Sequence, residues 1–478
     1  MLCSCSAFSG KRPVAVSETD RREIDENQRT LPPIPLITHE IDGKTVKIYG
    51  VVFDGTMNDM GRIPDGERES LVAHIYGQIK DQICAHYSPG PGMQNKGRSN
   101  PIDAAIGYSS PAIAQKAKEI FFEKAEQWLK EEPNTETRVF VAGFSRGAAI
   151  SRHFMNLVEQ EWKAKTIGDH TPYFYALLFD TVATFQEKNL KLSLPASLDY
   201  LIHIVAKDEP RGLFRHVIDE EDDIDLTSTG VAYPPHNYFS ISRINLRELP
   251  GSHSDIGATY QTGIGSAYRV LAEQILYAMG LSDKNVWNLD YDPLVQGKHD
   301  PRGLFDIAIG TPAPNSEQSV NRQPIRKKAI VTKARHADNI RRLNSMVKAN
   351  AERGVRQEIG KKENPGLTLE IERRNEAIFV HSCKSGSLDS QGFTTTCDSR
   401  FSDPDGKRSL DVDVWYVGWN KNAQKASSTL PISDAIWKRL KEGEVATLSY
   451  SRLEKGKKTY LVTYLNDKRI DCSPVKEP

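Results

Sequence analysis

Arg138-Val139-Phe140-Val141-Ala142 runs without a break into Gly143-Phe144-Ser145-Arg146-Gly147, and a helical segment, Ala148–Trp162, follows at once. The first five residues are a short β-branched and aromatic run closed by glycine, which predicts a buried strand. Upstream, Ile113, Ala117, Ile120, Phe121, Ala125, Trp128 and Leu129 recur at helical spacing over Ala112–Glu131, and that helix stops before Pro133. Helix, strand, sharp glycine turn and helix in this order predict a parallel sheet covered on both faces.

Working outward, Val46–Phe53 (VKIYGVVF) predicts another buried strand, ending in the turn Asp54-Gly55-Thr56. A helix is expected near Ser70–Ala85, followed by a Gly/Pro/Asn-rich loop over Ser88–Pro101. Strands are expected at Tyr173–Phe179, which ends at Asp180, and at Tyr238–Ile244, which leads into Leu249-Pro250-Gly251-Ser252-His253-Ser254-Asp255. A helix over Ser266–Met279 completes an α/β domain assigned to residues 41–320. Residues 1–40 are polar and broken by Pro13, Pro32, Pro33 and Pro35, so they read as a flexible tail. Residues 321–364 are basic, with Ile340, Leu343 and Val347 at helical spacing, and read as a solvated linker helix. Residues 365–478 read as a smaller β-rich C-terminal module, with strands at Leu367–Glu372, Ala377–His381, Leu410–Val417 and Tyr460–Tyr464.

Composition narrows the choice of partners. Lys+Arg and Asp+Glu both number 63 in 478 residues, so the net charge is +0 and nothing favours nucleic acid. The six cysteines lack zinc-ligand spacing and read as ordinary reduced or buried thiols, with Cys383 and Cys397 close enough in sequence to pair in an oxidising compartment. The acidic run Asp219–Asp225 invites a calcium ion, but a solvated loop is the simpler reading; no metal and no cofactor are assigned. Met1–Ser6 has no basic stretch leading into an apolar core, so no signal peptide is expected. Action outside the producing cell would then need a signal-independent export machine.

The glycine-flanked serine carries the chemistry. A strand-to-helix turn with glycine on both sides, Gly143 and Gly147, lifts the Ser145 hydroxyl clear of the sheet, and the helix behind it turns its positive end toward a developing oxyanion. Serine is a weak nucleophile until a base takes its proton and an acid orients that base. The expected chain order is Ser, Asp or Glu, then His. Asp180 closes an apolar strand and His253 lies in a glycine-bearing loop after another, so Ser145, Asp180 and His253 are the candidate triad. His153, His170, His203, His216 and His236 lie in less suggestive places. The Arg146 N–H supplies one oxyanion donor by position, and Gly55 or Thr56 is the candidate for the second. Asp54 is read as shaping its turn, although it is a rival carboxylate. Asp255 is read as a partner for the histidine loop rather than as the triad acid.

Four motifs occur in order: Val51–Asp59 (VVFDGTMND), Gly143–Ala148 (GFSRGA), Leu178–Ala183 (LFDTVA) and Pro250–Gly257 (PGSHSDIG). Together they resemble the bacterial α/β-hydrolase-like family that includes lipase effectors of the type VI secretion system, over roughly residues 46–310. The resemblance implies an α/β-hydrolase fold and a phospholipase-type esterase with Ser145 as nucleophile, Asp180 as acid and His253 as base. It also implies a phospholipid membrane as substrate, action in the periplasm of a rival cell, a secretion-machine spike protein as carrier and a cognate immunity protein. Two departures, Met57 in place of a common tryptophan and Ala258-Thr259 in place of a glycine run, touch the pocket rather than the triad. The residues also admit an intracellular esterase for a soluble or carbohydrate ester, or a non-catalytic binding protein on a hydrolase scaffold.

Overall fold

The computed structural model describes residues 12–29, 31–95, 98–165, 171–220, 223–225, 242–283, 297–302, 307, 311, 322–328, 330–352, 367–384, 394–417, 423–455, 458–466 and 468–474. The chain divides into two compact units, Met1–Ile359 and Gly360–Pro478.

In the first unit the elements run β1 (Arg12–Val14), α1 (Glu18–Arg29), β2 (Val46–Phe53), α2 (Leu71–Ile79), β3 (Cys84–Ser88), α3 (Pro101–Ile106), α4 (Ser110–Glu131), β4 (Glu136–Phe144) and α5 (Arg146–Lys165). They continue with β5 (Tyr173–Phe179), β6 (Leu198–Ala206), β7 (Val217–Asp219), β8 (Asp223–Asp225), β9 (Ile244–Leu249), α6 (His253–Ile256) and α7 (Gly265–Met279). The last are β10 (Lys298–Asp300), β11 (Ile325–Lys327), β12 (Ile330–Thr332) and α8 (Lys333–Glu352).

Six strands form one parallel sheet in the order β3-β2-β4-β5-β6-β9. The inner strands β4, β5 and β6 are buried along their whole length, as strands covered on both faces must be. Successive side chains point to opposite faces, so Val139 and Val141 join α4 and α5 in one apolar layer, while Phe140, Ala142 and Phe144 join α2, α7 and α8 in the other. The strand order reverses beside β2 and β4, the first two strands laid down being neighbours at one side of β4. In sheets of this kind ligands bind outside the carboxyl ends of the strands at that reversal.

Several expectations are corrected. Within the expected tail, residues 12–29 and 31–40 are structured: Ser17 and Asp20 cap α1 reciprocally, β1 pairs antiparallel with β10, and Ile24, Leu31, Ile34, Leu36 and Ile37 are buried. Its prolines hold an extended path whose backbone bonds go elsewhere, as from the Ile37 N–H to Met279 O at 3.0 Å. Residues 330–352 of the expected linker are not a solvated helix, since α8 buries Leu343, Met346 and Val347 and, with them, Arg342. The predicted helix at 70–85 ends at Ile79, and Cys84–Ser88 forms an edge strand instead. Tyr238–Ile244 falls largely outside the described residues, and the strand there is Ile244–Leu249. Strand β6 was not foreseen, because Asp199 and His203 interrupt its apolar run. No helix among the described residues is long and apolar enough to cross a membrane.

The second unit holds two antiparallel sheets: β13 (Leu367–Arg374), β14 (Ala377–Lys384), β18 (Val445–Lys455), β19 (Lys458–Leu465) and β20 (Lys468–Pro474) in one, and β15 (Thr394–Ser402), β16 (Ser409–Val417) and β17 (Ala423–Pro431) in the other. A short helix, α9 (Asp434–Arg439), contributes Ile436 and Trp437 to their shared core with Leu369, Ile371, Leu410 and Leu448. The side chains of Cys383 and Cys397 lie outside the described residues.

Candidate active site

Ser145 sits between the end of β4 and the start of α5 with φ at +57°, a left-handed conformation rare for a residue with a Cβ. Its N–H donates to Phe179 O (2.9 Å), and its carbonyl accepts from the Ala148 and Val182 N–H groups (3.1 and 3.2 Å), so three segments hold the turn. The flanking glycines are sterically required. A Cβ on Gly143 would lie 2.3 Å from Ser151 Oγ, and one on Gly147 would lie 2.3 Å from Phe53 O. The N-terminus of α5 therefore starts immediately behind the Ser145 hydroxyl, with its positive end toward it.

The structure brings the three expected side chains together. His253 Nε2 is 2.7 Å from Ser145 Oγ, and His253 Nδ1 is 2.6 Å from Asp180 Oδ2. Asp180 follows β5 and His253 opens α6, so the residues come from the ends of successive parts of the sheet. Phe144 stacks on the imidazole at 4.7 Å between ring centroids, and Phe214 meets it edge-on at 5.0 Å. Backbone contact fixes the ring too, since the His253 N–H donates to Glu209 Oε2 at 3.1 Å.

Asp180 is fully buried and well provided with donors. Ala206 N–H donates to Oδ1 at 3.1 Å, and the Arg322 guanidinium donates to both oxygens at 3.0 Å. Burial pushes this carboxyl up, but Arg322 and His253 outweigh burial and hold it well below the usual carboxylate range. Arg322 stood in the expected linker; nothing in its local sequence signals that it reaches the strand-end acid. Glu209 was missed as well. It is buried and paired bidentately with Arg211 at 2.7 and 2.9 Å; burial raises its carboxyl, but Arg211 prevails and lowers it.

The remaining expected residues fall as follows. Gly55 is corrected as an oxyanion donor, because its N–H turns back to Asp54 Oδ1 at 2.8 Å. Thr56 lines the cleft beside Ser145 and His253, together with Met57, Asn58, Glu67, Phe144, Ser254 and Thr259. The Arg146 side chain, rather than its N–H alone, shapes this region: Nη1 donates to Thr56 Oγ1 (2.7 Å) and Ala104 O (2.9 Å), tying the serine turn to the 54–58 loop and α3. Asp54 accepts from Tyr87 Oη at 2.6 Å and makes no bond to His253 among the described residues. Burial pushes its carboxyl up to about 6 against the bonds it receives from Ser70, Tyr87 and Gly55. Asp255 faces away from the serine. It caps α6 through Ser252 and accepts from His299, whose Nδ1 lies 2.7 Å from Oδ1. The cleft itself is small, about 10 Å³, the room of one water molecule.

Of the acidic run, Asp219 is taken up by Arg152 at 2.7 and 2.6 Å, and residues 221 and 222 lie outside the described residues. No group of three or more His, Cys, Asp or Glu side chains able to hold a metal occurs among the described residues.

No family model matches the sequence, and no curated protein matches it. Among solved structures the chain is similar to an uncharacterized protein from Pseudomonas aeruginosa, at 18% identity and a TM-score of 0.34. The match covers 58% of this chain and 50% of that one, so the chain spans half the length of that protein.

Proposed function

We propose that this chain is a serine esterase of the α/β-hydrolase type that cleaves acyl esters of phospholipids. One observation carries the reading: a single imidazole bonds the Ser145 hydroxyl at 2.7 Å and the Asp180 carboxylate at 2.6 Å. In this chemistry His253 Nε2 takes the proton of Ser145 Oγ as that oxygen attacks the ester carbonyl carbon. The carbonyl oxygen becomes an oxyanion in front of the α5 N-terminus, where the Arg146 N–H and the Thr56 side of the cleft face it. His253 then returns the proton to the leaving alcohol oxygen, an acyl-serine forms, and water activated by the same imidazole releases the acid. Asp180 stays ionised and stabilises the imidazolium between the two transfers.

The choice of lipid over a soluble ester rests on exposed apolar residues near Arg146. Ile106, Tyr108, Phe185 and Leu213 are exposed by 42, 54, 59 and 60%. Arg146, next to Ser145, donates to Ala105 O and Thr184 O, the neighbours of Ile106 and Phe185, and Thr184 Oγ1 donates to Leu213 O. Exposed apolar groups near the residue that follows the serine suit a bilayer surface. The narrowness of the cleft favours a second reading, a short soluble ester. Delivery as a type VI secretion effector into a rival periplasm, with a spike carrier and an immunity partner, rests on the four sequence motifs.

Mass spectrometry of mixed phospholipid vesicles after incubation with wild type and Ser145→Ala tests the substrate. Free fatty acid and lysophospholipid are expected with wild type alone; intact lipid beside rapid hydrolysis of a short ester points to the second reading. Periplasmic expression tests delivery chemistry, with toxicity expected for wild type and not for Ser145→Ala.

A further inference from the structure

Arg322 takes no part in the proton transfers above, yet it grips their acid from behind. Nη1 donates to Asp180 Oδ2 and Nη2 to Oδ1, each at 3.0 Å, and the same nitrogens donate to Phe214 O at 2.8 Å and Ala206 O at 2.6 Å. The Arg322 and Asp180 side chains are only 3 and 0% exposed, so neither solvent nor salt screens the pair. Oδ2 is therefore shared between the Arg322 guanidinium and the His253 imidazole.

We propose that Arg322 is a positioning residue that holds the Asp180 carboxylate toward His253 and offsets part of the negative charge the imidazole faces. The inference rests on the serine-esterase reading and names how its base is tuned.

The physical ground is simple. A carboxylate beside an imidazole favours the imidazolium, and a cation bonded to the same carboxylate opposes that effect. Other charged groups near the pair are already matched. Glu209, which accepts the His253 N–H, is neutralised by Arg211; Asp219 is held by Arg152; Asp255 is turned to His299. His203 on β6 bonds Thr181 Oγ1 at 3.0 Å and is held neutral by burial, with Arg152 adding to the effect. His216 is pushed down to about 4 by burial and by Arg322 itself. Among the described residues Arg322 is thus the cation whose removal directly unshields the Asp180 carboxylate.

The test is the pH dependence of kcat/KM for a soluble p-nitrophenyl ester in the full chain. Without Arg322 the full carboxylate charge acts on the imidazole, so the acidic limb of the profile in Arg322→Met is expected to move up by about one pH unit. Arg322→Lys, which keeps the charge, is expected to leave that limb near its wild-type position even where kcat falls. A merely structural role would lower kcat in both variants with the limb unmoved, and that result overturns the inference. Should Arg322→Met not fold, Arg322→Gln supplies the neutral arm, and equal limbs for Gln and Lys overturn it as well. A wild type inert toward both the ester and a fluorophosphonate probe removes the esterase reading itself, whereas an active wild type with unmoved limbs removes only this inference.

Discussion

Arg342 on α8 places Nη1 and Nη2 each 2.8 Å from the two carboxylate oxygens of Glu136, 206 residues earlier at the start of β4. Its Nε reaches Asp199 at 2.9 Å, so one buried guanidinium serves the first residues of two central strands. Burial raises the Glu136 carboxyl, but Arg342 and then Arg138 outweigh it and bring it down to about 2. Arg342→Met removes one of two cations from each of these buried carboxylates, leaving Arg138 and Arg335, a change that costs on the order of 1–3 kcal/mol. The urea midpoint of the first unit at pH 7 is expected to fall accordingly. Because the Glu136 value is depressed on folding, its stabilisation is complete above the ordinary carboxylate value of 4.5 and fades as pH drops toward about 2. The gap between wild type and variant should therefore narrow through that acidic window. Equal midpoints at pH 7 would count against the contact.

Two glycines separate steric need from mere presence. A Cβ at Gly147 would lie 2.3 Å from Phe53 O and 2.4 Å from Asp54 O, backbone atoms that cannot step aside cheaply. Gly147→Ala is expected to abolish labelling of Ser145 by a fluorophosphonate and to lower the melting temperature. Gly77, inside α2, has nothing within 4 Å of its added Cβ. Gly77→Ala is expected to stabilise the protein by roughly 0.5–1 kcal/mol through helix propensity. If the two variants behaved alike in calorimetry, the close packing of the serine turn on β2 would be wrong.

Strands β2, β4 and β5 and the three candidate triad side chains were legible in sequence because each has a local signature. Arg138–Ala142 and Tyr173–Phe179 are continuous apolar runs, and Ser145, Asp180 and His253 stand at the glycine turn, strand end and loop where such residues are sought. What stayed hidden depends on distant partners. The basic run after residue 321 looks solvated until Glu136, Asp199 and Asp180 are found facing it. The proline-broken start looks unstructured until α7 and α8 take its backbone bonds. Strand β6 reads poorly because Asp199 and His203 are polar; burial of Asp199 is made acceptable by Arg335 at 2.7 Å and by Arg342. Gly55 was a natural oxyanion donor by position, and only the Asp54 carboxylate behind it shows that its N–H is spent.

The exposed apolar residues Phe185 and Leu213 are where hydrolysis of lipid and of soluble ester is expected to part. Phe185→Asp and Leu213→Asp change residues 59 and 60% exposed, so they disturb little packing. Each is expected to reduce hydrolysis of vesicle phospholipid on the order of tenfold through lost apolar contact, while hydrolysis of a soluble short ester stays within about twofold. Parallel loss on both substrates would place these residues in folding rather than in contact with a surface.

Lys298 links the chain's beginning to the histidine loop. Nζ lies 2.9 Å from Asp20 on α1 and 2.8 Å from Asp208, and Asp208 Oδ2 also accepts the Gly251 N–H at 2.8 Å, two residues before His253. Lys298→Met frees that loop, and displacement of a base by a fraction of an ångström is costly to rate. Steady-state assays are expected to show kcat lower by on the order of tenfold with KM little changed. An unaltered kcat would mean that the loop holds its place without this bridge.

Covalent labelling tests the central claim most directly. A fluorophosphonate offered to the folded full-length chain at neutral pH, followed by peptide mapping, is expected to modify Ser145 alone. Labelling should be lost in Ser145→Ala and slowed by at least about a hundredfold in His253→Ala. Absence of label at Ser145, or an undiminished rate without the imidazole, would contradict a hydroxyl activated by His253 and Asp180.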